Sequence, residues 1–201
     1  MSEETKNGPW VVRSSRLTFE NPWIRVTDHD VLHPDGSDGE YGVVSFKNIA
    51  IGVLPITERG ETWLVGQHRF PSEKYSWELP EGGGLVDDSP LESAKRELRE
   101  ETGVSAENWI ELTRFDVSNS VTDERAICFL AYGLHHGQSA PEPSELLDVK
   151  KVPLKDVYHN VMTGEISDSL TIMMVLMASA KALRGELPAP ISSIIIEATK
   201  A

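Results

Sequence analysis

The chain has 201 residues, of which 39% are hydrophobic and 25% charged, and a formal net charge of −13. This length and composition predict one soluble globular domain with a sizeable core, with or without a small appendage. The acidic balance argues against a nucleic-acid partner, which requires a Lys/Arg surface, and the single Cys128 excludes an intrachain disulfide framework.

The sequence also bears on location. No apolar run reaches the roughly 18 residues needed to cross a membrane, so no membrane partner is expected. The N-terminus MSEETKNGPW lacks the basic and apolar regions of a signal peptide. A cytoplasmic location is therefore the default expectation.

Residues 1–9 are polar without an apolar period and are predicted to form a disordered tail. Two strand-like runs follow, WVVRSSRLTFE from Trp10 and WIRVTDHDVLH from Trp23, and an Asn-Pro pair separates them. The segment HPDGSDG then supplies a turn rich in Gly and Asp. Together these features predict a β-rich N-terminal appendage over residues 10–39.

A main domain is predicted over residues 40–187. It opens with short strands at 40–47, 48–56 and 61–67. The segment HRFPSEKYSWELPEGGG after them is predicted to be a shaped loop, because it is dense in Gly and Pro. Its consecutive glycines, which include Gly82 and Gly83, would let backbone groups approach a ligand closely.

A helix is predicted to begin at Pro90 and to end near Thr102. Ser89 with Glu92 has the spacing of a capping box, and Pro suits the first helical position. Gly103 is the residue type that ends a helix in the left-handed conformation. The predicted buried stripe consists of Leu91, Ala94 and Leu98.

Three glutamates, Glu97, Glu100 and Glu101, share one flank of this helix beside the apolar stripe. Like charges at this spacing destabilise a helix by about 0.2–0.5 kcal/mol per pair, and acids in the last turn face the negative end of the helix dipole. A cation should therefore offset their charge. Carboxylate oxygens are the ligands that Mg²⁺ prefers, although a solvated acidic face is the commoner explanation of such a run.

Beyond the helix, strands are predicted over residues 108–117 and 125–134, with the polar loop SNSVTDE between them. The segment HHGQSAPEPSE is predicted to be a surface loop. Its His135 and His136 are interpreted as part of a solvated turn, because no third metal ligand lies at useful spacing.

Two more helices are predicted, over residues 154–162 and 168–183. The second is apolar nearly all round and therefore predicted to be buried, with Ser167 or Asp168 as its cap. Residues 188–201 are predicted to be a C-terminal tail without a functional signal.

The segment from Gly82 to Val104 resembles the Nudix box, G-x5-E-x7-R-E-U-x-E-E-x-G-U, where U is a bulky aliphatic residue. Every fixed position matches except Asp88, where the family carries Glu. The likeness to Nudix hydrolases covers most of residues 20–185. It implies an α/β fold, a Nudix-type α/β/α sandwich with a mixed sheet, which the strands flanking the helix also favour.

Further segments, ENPWIRV, GQHRFP, WELPEGGG, NSVTDERA and GEISDSLTI, resemble the ADP-ribose and nucleoside diphosphate sugar pyrophosphatase branch. This resemblance implies that Glu97 and Glu101 bind metal, with help from Glu100 and a backbone carbonyl ligand from Glu81. It also implies that Arg96 orients the carboxylates. The implied cofactor is Mg²⁺, with Mn²⁺ as the alternative.

The same resemblance implies a substrate site and a partner subunit. Arg69 would bind a substrate phosphate close to Gly82 and Gly83, and Trp23 would stack on the base across a homodimer. The simpler alternatives are that Arg69 forms a surface ion pair and that Trp23 belongs to the core.

Glu124, in the loop SNSVTDERA, is expected to be the base that activates water. Glutamates that hold a metal have depressed pKa values and make poor proton acceptors, so a separate acid is needed. In the branch that this chain resembles, a Glu from the loop at this position fills the role. Asp123 is the neighbouring alternative, and an ordinary exposed pair of acids is the simplest one.

The resemblance therefore implies a metal-dependent hydrolase that cleaves the diphosphate of ADP-ribose or a related nucleoside diphosphate sugar into a nucleoside monophosphate and a sugar phosphate. A pyrophosphatase for GDP-mannose or a dinucleotide is one alternative. A non-catalytic module that binds nucleotide sugars is another, which the Asp88 substitution leaves open.

Overall fold

The computed structural model describes residues 4–137 and 146–200, and the chain divides into two compact units. The first unit holds residues up to Ile49 together with the segment Asp116–Arg125. The second holds Ala50–Phe115 and the residues from Ala126 onward. No helix in the described ranges is both long and apolar enough to cross a bilayer.

The first unit is built on an antiparallel sheet whose strands follow chain order: β1 (Thr5–Asn7), β2 (Trp10–Glu20), β3 (Ile24–Leu32) and β4 (Asp38–Phe46). The predicted strand-rich N-terminus is therefore present. Part of the predicted tail is instead strand, because β1 pairs with the start of β2, and residues 1–3 lie outside the described chain. The predicted boundary at residue 40 falls inside β4, which pairs with β3 along its whole length.

The segment 116–125 is hydrogen-bonded to β4. The Val44 amide donates to the Val121 carbonyl at 2.9 Å, and the Phe46 amide donates to Asp123 Oδ1 at 2.8 Å. The Tyr41 hydroxyl donates to the Ser120 carbonyl. These bonds fix the backbone of the loop that carries Glu124.

The second unit begins with the strands β5 (Asn48–Ile56), β6 (Glu61–Arg69), β7 (Lys74–Glu78) and β8 (Glu81–Leu85). Helix α1 (Pro90–Thr102) follows, and then β9 (Val104–Asp116), β10 (Arg125–His136) and β11 (Asp148–Pro153). The chain continues through α2 (Leu154–Thr163), α3 (Ser169–Leu183) and α4 (Ala189–Ala198).

These strands form a sheet in the order β8-β5-β10-β9 and a smaller sheet in the order β11-β6-β7. β5 and β10 are parallel, from Ala50 opposite Ala126 to Ile56 opposite Tyr132. Both are nearly continuous apolar runs, as expected for parallel strands buried on both faces. Parallel pairing of β5 with β10 and antiparallel pairing of β6 with β7 and β11 agree with the predicted mixed α/β fold.

Helix α1 has the predicted bounds and ends at Gly103, whose φ is 71°. The predicted capping box is wrong, because Ser89 makes no side-chain cap hydrogen bond and Glu92 pairs with Lys95 at 2.7 Å instead. The helix packs on β8 and β6. Helix α1 therefore lies against the glycine-rich strand from Ser93 to Glu101.

The loop predicted over residues 68–84 is also wrong, because strands β7 and β8 occupy much of this segment. β7 pairs antiparallel with β6, and Gly84 lets β8 lie close to α1 and β5: a Cβ there would be 2.8 Å from Ser93 Oγ. Close packing, and not only ligand approach, thus requires this glycine.

The predicted C-terminal tail contains α4, which packs on α2 and α3 and buries Ile191 and Ile195. Helix α3 has the predicted cap, as the Asp168 side chain accepts from the Thr171 amide, but it is less buried than predicted because Leu176 is exposed. His135 and His136, predicted in a surface loop, belong to β10, and residues 138–145 of that prediction lie outside the described chain.

Candidate active site

Glu97 and Glu101 lie on the buried side of α1, with only 9% and 5% of their surface exposed. They are four residues apart, so their side chains lie one above the other on the helix, beside Ala94 and Leu98. Glu100 is half-buried at the edge of the same flank. α1 therefore places three acids together where the sequence predicted them.

Arg96 lies among these acids. Its guanidinium is 2.8 Å from Glu97 and 2.9 Å from Glu100, and its Nη2 also donates to the Gly83 carbonyl at 2.8 Å. Burial lowers the pKa of Arg96, but the two carboxylates outweigh it and raise that pKa overall. Arg96 is thus one of the cations that offset the acidic flank, and it ties α1 to β8.

Strand β8 lies directly against these carboxylates. The Glu81 amide donates to Glu101 Oε2 at 3.1 Å. A Cβ at Gly82 would be 2.2 Å from the Glu97 carboxyl carbon, closer than any real contact. Only glycine at this position leaves the space that the Glu97 carboxylate occupies.

We therefore expect Gly82→Ala to displace the Glu97 carboxylate while the protein still folds, because the end of a side chain can move. A shift of about 1 Å at a catalytic group costs roughly 100-fold in rate, so kcat should fall by about that factor. Steady-state kinetics together with thermal unfolding measure both effects. Gly42→Ala is the matched control, since a Cβ there meets no atom closer than 3.8 Å; equal kinetics for the two variants would contradict the expectation.

Arg69, at the end of β6, is partly exposed and pairs with the buried Glu78. Its Nε and Nη2 contact both carboxylate oxygens of Glu78, and its Nη2 also donates to Glu81 Oε1 at 2.8 Å. The hydrogen bonds that Arg69 donates to Glu78 raise the pKa of Arg69 despite its partial burial. Arg69 therefore remains a cation.

Glu78, Glu81 and Asp168 form a second acidic group that could hold a metal ion, with carboxylate oxygens within 4.8 Å of one another. Burial, and then the charges of Asp168 and Glu78, raise the pKa of Glu81 well above its ordinary value. Glu81 Oε2 is buried and receives no hydrogen bond from the described residues. Hard carboxylate donors with one oxygen unused fit a divalent cation.

The side chains of Glu78 and Glu81 and this use of Asp168 were not predicted from the sequence. Their one local signal is an acid between the large apolar residues Trp77 and Leu79, a pattern that indicates a buried charge. Asp168 comes from the far end of the chain, where the Thr171 hydroxyl also accepts from the Leu79 amide at 2.8 Å.

The other predicted site residues, Trp23 and Glu124, belong to the first unit. The Trp23 side chain is 64% exposed, so the alternative that it belongs to the core is wrong. Burial raises the pKa of Glu124, and its carboxylate has no hydrogen bond within the described chain. Asp123, the alternative base, already accepts from the Phe46 amide.

Two sequence families match this chain. The NUDIX domain matches residues 46–170, and the nucleoside diphosphate sugar hydrolase N-terminal domain matches residues 10–44. Among solved structures, one titled as an ADP compounds hydrolase superposes with a TM-score of 0.77 at 18% identity, covering 90% of this chain and 98% of the other. That likeness supports the mixed α/β fold.

Characterised relatives include an ADP-ribose pyrophosphatase of Bacillus subtilis, 33% identical over 76% of this chain and 83% of the relative. An enzyme of the same name from Mycobacterium tuberculosis is 30% identical over 72% of this chain and 71% of its own. A CMP-5'-(N-acetyl-N-hydroxy-3-aminopropyl)phosphonate hydrolase of Streptomyces rubellomurinus is 30% identical over 83% and 81%.

Proposed function

Because this chain belongs to the Nudix hydrolase family, we propose that it hydrolyses the diphosphate bond of ADP-ribose or a related nucleoside diphosphate sugar. The products are a nucleoside monophosphate and a sugar phosphate. The observation that carries this proposal is the convergence of Glu97, Glu101 and the Glu81 backbone beside Gly82. Two relatives named ADP-ribose pyrophosphatases support the choice of substrate.

Divalent metal is general in this family, and we assign Mg²⁺, with Mn²⁺ as the alternative, to the carboxylates of Glu97, Glu100 and Glu101 and to the carbonyl of Glu81. Bound there, divalent cations would supply charge neutralisation of the diphosphate and acidification of the attacking water. Arg96 keeps the carboxylates of Glu97 and Glu100 oriented through its two ion pairs.

The remaining groups bind substrate and move the proton. Arg69 binds a phosphate oxygen of the substrate near the backbone of Gly82 and Gly83. Glu124 accepts the proton of the attacking water, a role suited by its raised pKa and by a carboxylate that forms no hydrogen bond with the described residues. Trp23 stacks on the base.

The substrate assignment is tested by incubating the protein with Mg²⁺ and a panel of ADP-ribose, GDP-mannose, a CMP-linked phosphonate and a dinucleotide, and by measuring kcat/KM for each. We expect the highest value for ADP-ribose, with AMP and ribose 5-phosphate as products. A higher kcat/KM for GDP-mannose or the dinucleotide would contradict ADP-ribose as the preferred substrate, but it would still agree with hydrolysis of a diphosphate bond.

We also place a homodimer contact in the N-terminal segment, residues 10–39. Three large apolar side chains of this segment are exposed, and exposed apolar surface is typical of protein contacts: Leu17, Phe19 and Trp23. Sedimentation at micromolar concentration should give the mass of a dimer, whereas a monomer would contradict the contact.

If Trp23 stacks on the base, Trp23→Ala should raise KM for ADP-ribose far more than it lowers kcat. Stacking on an aromatic ring contributes about 1–3 kcal/mol per base, so the expected rise in KM is roughly 5- to 150-fold. Trp23→Phe, which keeps a ring, should recover most of the affinity. A fall in kcat at unchanged KM would contradict the stacking role.

A further inference from the structure

The guanidinium of Arg69 is held along one edge only. Nε donates to Glu78 Oε1 and Oε2 at 3.0 and 3.1 Å, and Nη2 donates to Glu78 Oε2 and to Glu81 Oε1 at 2.5 and 2.8 Å. The third nitrogen, Nη1, makes no hydrogen bond to any residue in the described ranges. The arginine therefore has one nitrogen left for a further acceptor.

Glu78 is an unusual partner, because only 3% of its surface is exposed whereas the Arg69 side chain is 38% exposed. Burying a carboxylate is costly unless it is paired and hydrogen-bonded, so this geometry keeps the guanidinium edge against Glu78. Arg69 therefore keeps exposed surface, whereas its partner Glu78 has almost none.

The strand end that carries Glu78 is itself fixed from both sides. The Leu79 amide donates to the Thr171 hydroxyl at 2.8 Å, in the first turn of α3. Two residues later, the Glu81 amide donates to Glu101 of α1. Glu81 thus connects Arg69, through its side chain, to the box glutamates, through its amide.

We propose that Glu78 is a positioning residue for substrate: it holds the Nε–Nη2 edge of Arg69 so that Nη1 faces a substrate phosphate. This inference rests on the proposed function, in which Arg69 binds that phosphate. A guanidinium that is already oriented loses less conformational freedom when substrate binds, so Glu78 acts on affinity through Arg69.

A double-mutant cycle tests the proposal, with Glu78→Gln, Arg69→Lys and the double variant compared by steady-state kinetics on ADP-ribose. Glu78→Gln should raise KM by about tenfold and change kcat by much less. Glu78→Asp, which keeps the charge, should raise KM to a smaller extent. In the Arg69→Lys background, Glu78→Gln should leave KM unchanged, because lysine has no planar fork for Glu78 to orient.

Glu61→Gln is the matched control, since it removes a 2.6 Å ion pair with Lys151 elsewhere on the same small sheet and should keep the wild-type KM. Thermal unfolding tests whether each variant is folded. If Glu78→Gln does not fold, Glu78→Asp replaces it, and an unchanged KM in Glu78→Asp overturns the proposal.

An equal rise of KM from Glu78→Gln in both backgrounds would overturn the proposed positioning role. A tenfold loss of Mg²⁺ affinity in Glu78→Gln, measured by calorimetry, would also overturn it, because Glu78 would then be a metal ligand. Wild-type KM in Arg69→Lys would overturn it while the hydrolase proposal stands, because products still form. Absence of products from the wild-type protein would instead contradict the proposed function.

Discussion

Glu97→Gln and Glu101→Gln should each lower kcat by at least about 100-fold at saturating Mg²⁺, with little change in stability. The expected size is that of removing one preorganised electrostatic contact to a transition state. Each glutamine keeps the volume of the side chain and an oxygen that accepts hydrogen bonds, so Glu101→Gln can still accept from the Glu81 amide. The charge that attracts the cation is lost in both.

Steady-state kinetics over a Mg²⁺ titration, with thermal unfolding in EDTA, measure both parts of this expectation. Glu92→Gln is the matched control, because Glu92 lies on the same helix and is exposed with Lys95 as its partner. Full activity of Glu97→Gln or Glu101→Gln at saturating Mg²⁺ would show that the replaced glutamate has no role in catalysis. A large fall in the unfolding temperature would show that the replaced glutamate is needed for the stability of the fold instead.

Glu124→Gln should cut kcat by about 10²- to 10⁴-fold, the usual contribution of a general acid or base, while Mg²⁺ and substrate affinities stay near those of the wild type. Burial raises the pKa of Glu124, so the wild-type rate should fall on acidification at a pH above the ordinary glutamate pKa, as the base becomes protonated. That acidic limb should vanish in the variant.

The raised pKa of Glu124 also predicts whether Glu124→Gln raises or lowers the stability of the protein. A carboxyl whose folded pKa exceeds its unfolded value stabilises the fold in its protonated form and loses that contribution as the pH rises through the folded pKa. Glu124→Gln, which cannot ionise, should therefore be at least as stable as the wild type at neutral pH. If Asp123→Asn abolishes kcat and Glu124→Gln remains active, the base is Asp123.

Local patterns predicted helix α1 and its acids well, because helical spacing alone places Glu97 and Glu101 one turn apart and Gly103 ends the helix. The Ser89 cap failed, since its spacing suits a capping box but Glu92 has a closer partner in Lys95. Strands β7 and β8 were missed because glycine and proline suggest loops. Pairing with β6 and packing on α1 outweigh that preference.

The acidic side chains around Arg69 could not be predicted from the sequence for a different reason. Glu78 and Asp168 are far apart in the chain, and their contact depends on how α3 meets the end of β7. No periodicity reports such a long-range encounter. The same limit applies to α4, because its proline and β-branched isoleucines are poor helix formers and the burial of Ile191 and Ile195 depends on packing against α2 and α3.

Whether this protein hydrolyses the diphosphate of ADP-ribose is tested by incubating it with ADP-ribose and Mg²⁺ in water enriched in oxygen-18 and identifying the products by mass spectrometry. Hydrolysis of the diphosphate predicts AMP and ribose 5-phosphate in equal amounts, with one heavy oxygen in the phosphate of one product only. Unreacted ADP-ribose, or ADP with free ribose and an intact diphosphate, would contradict the proposed hydrolysis.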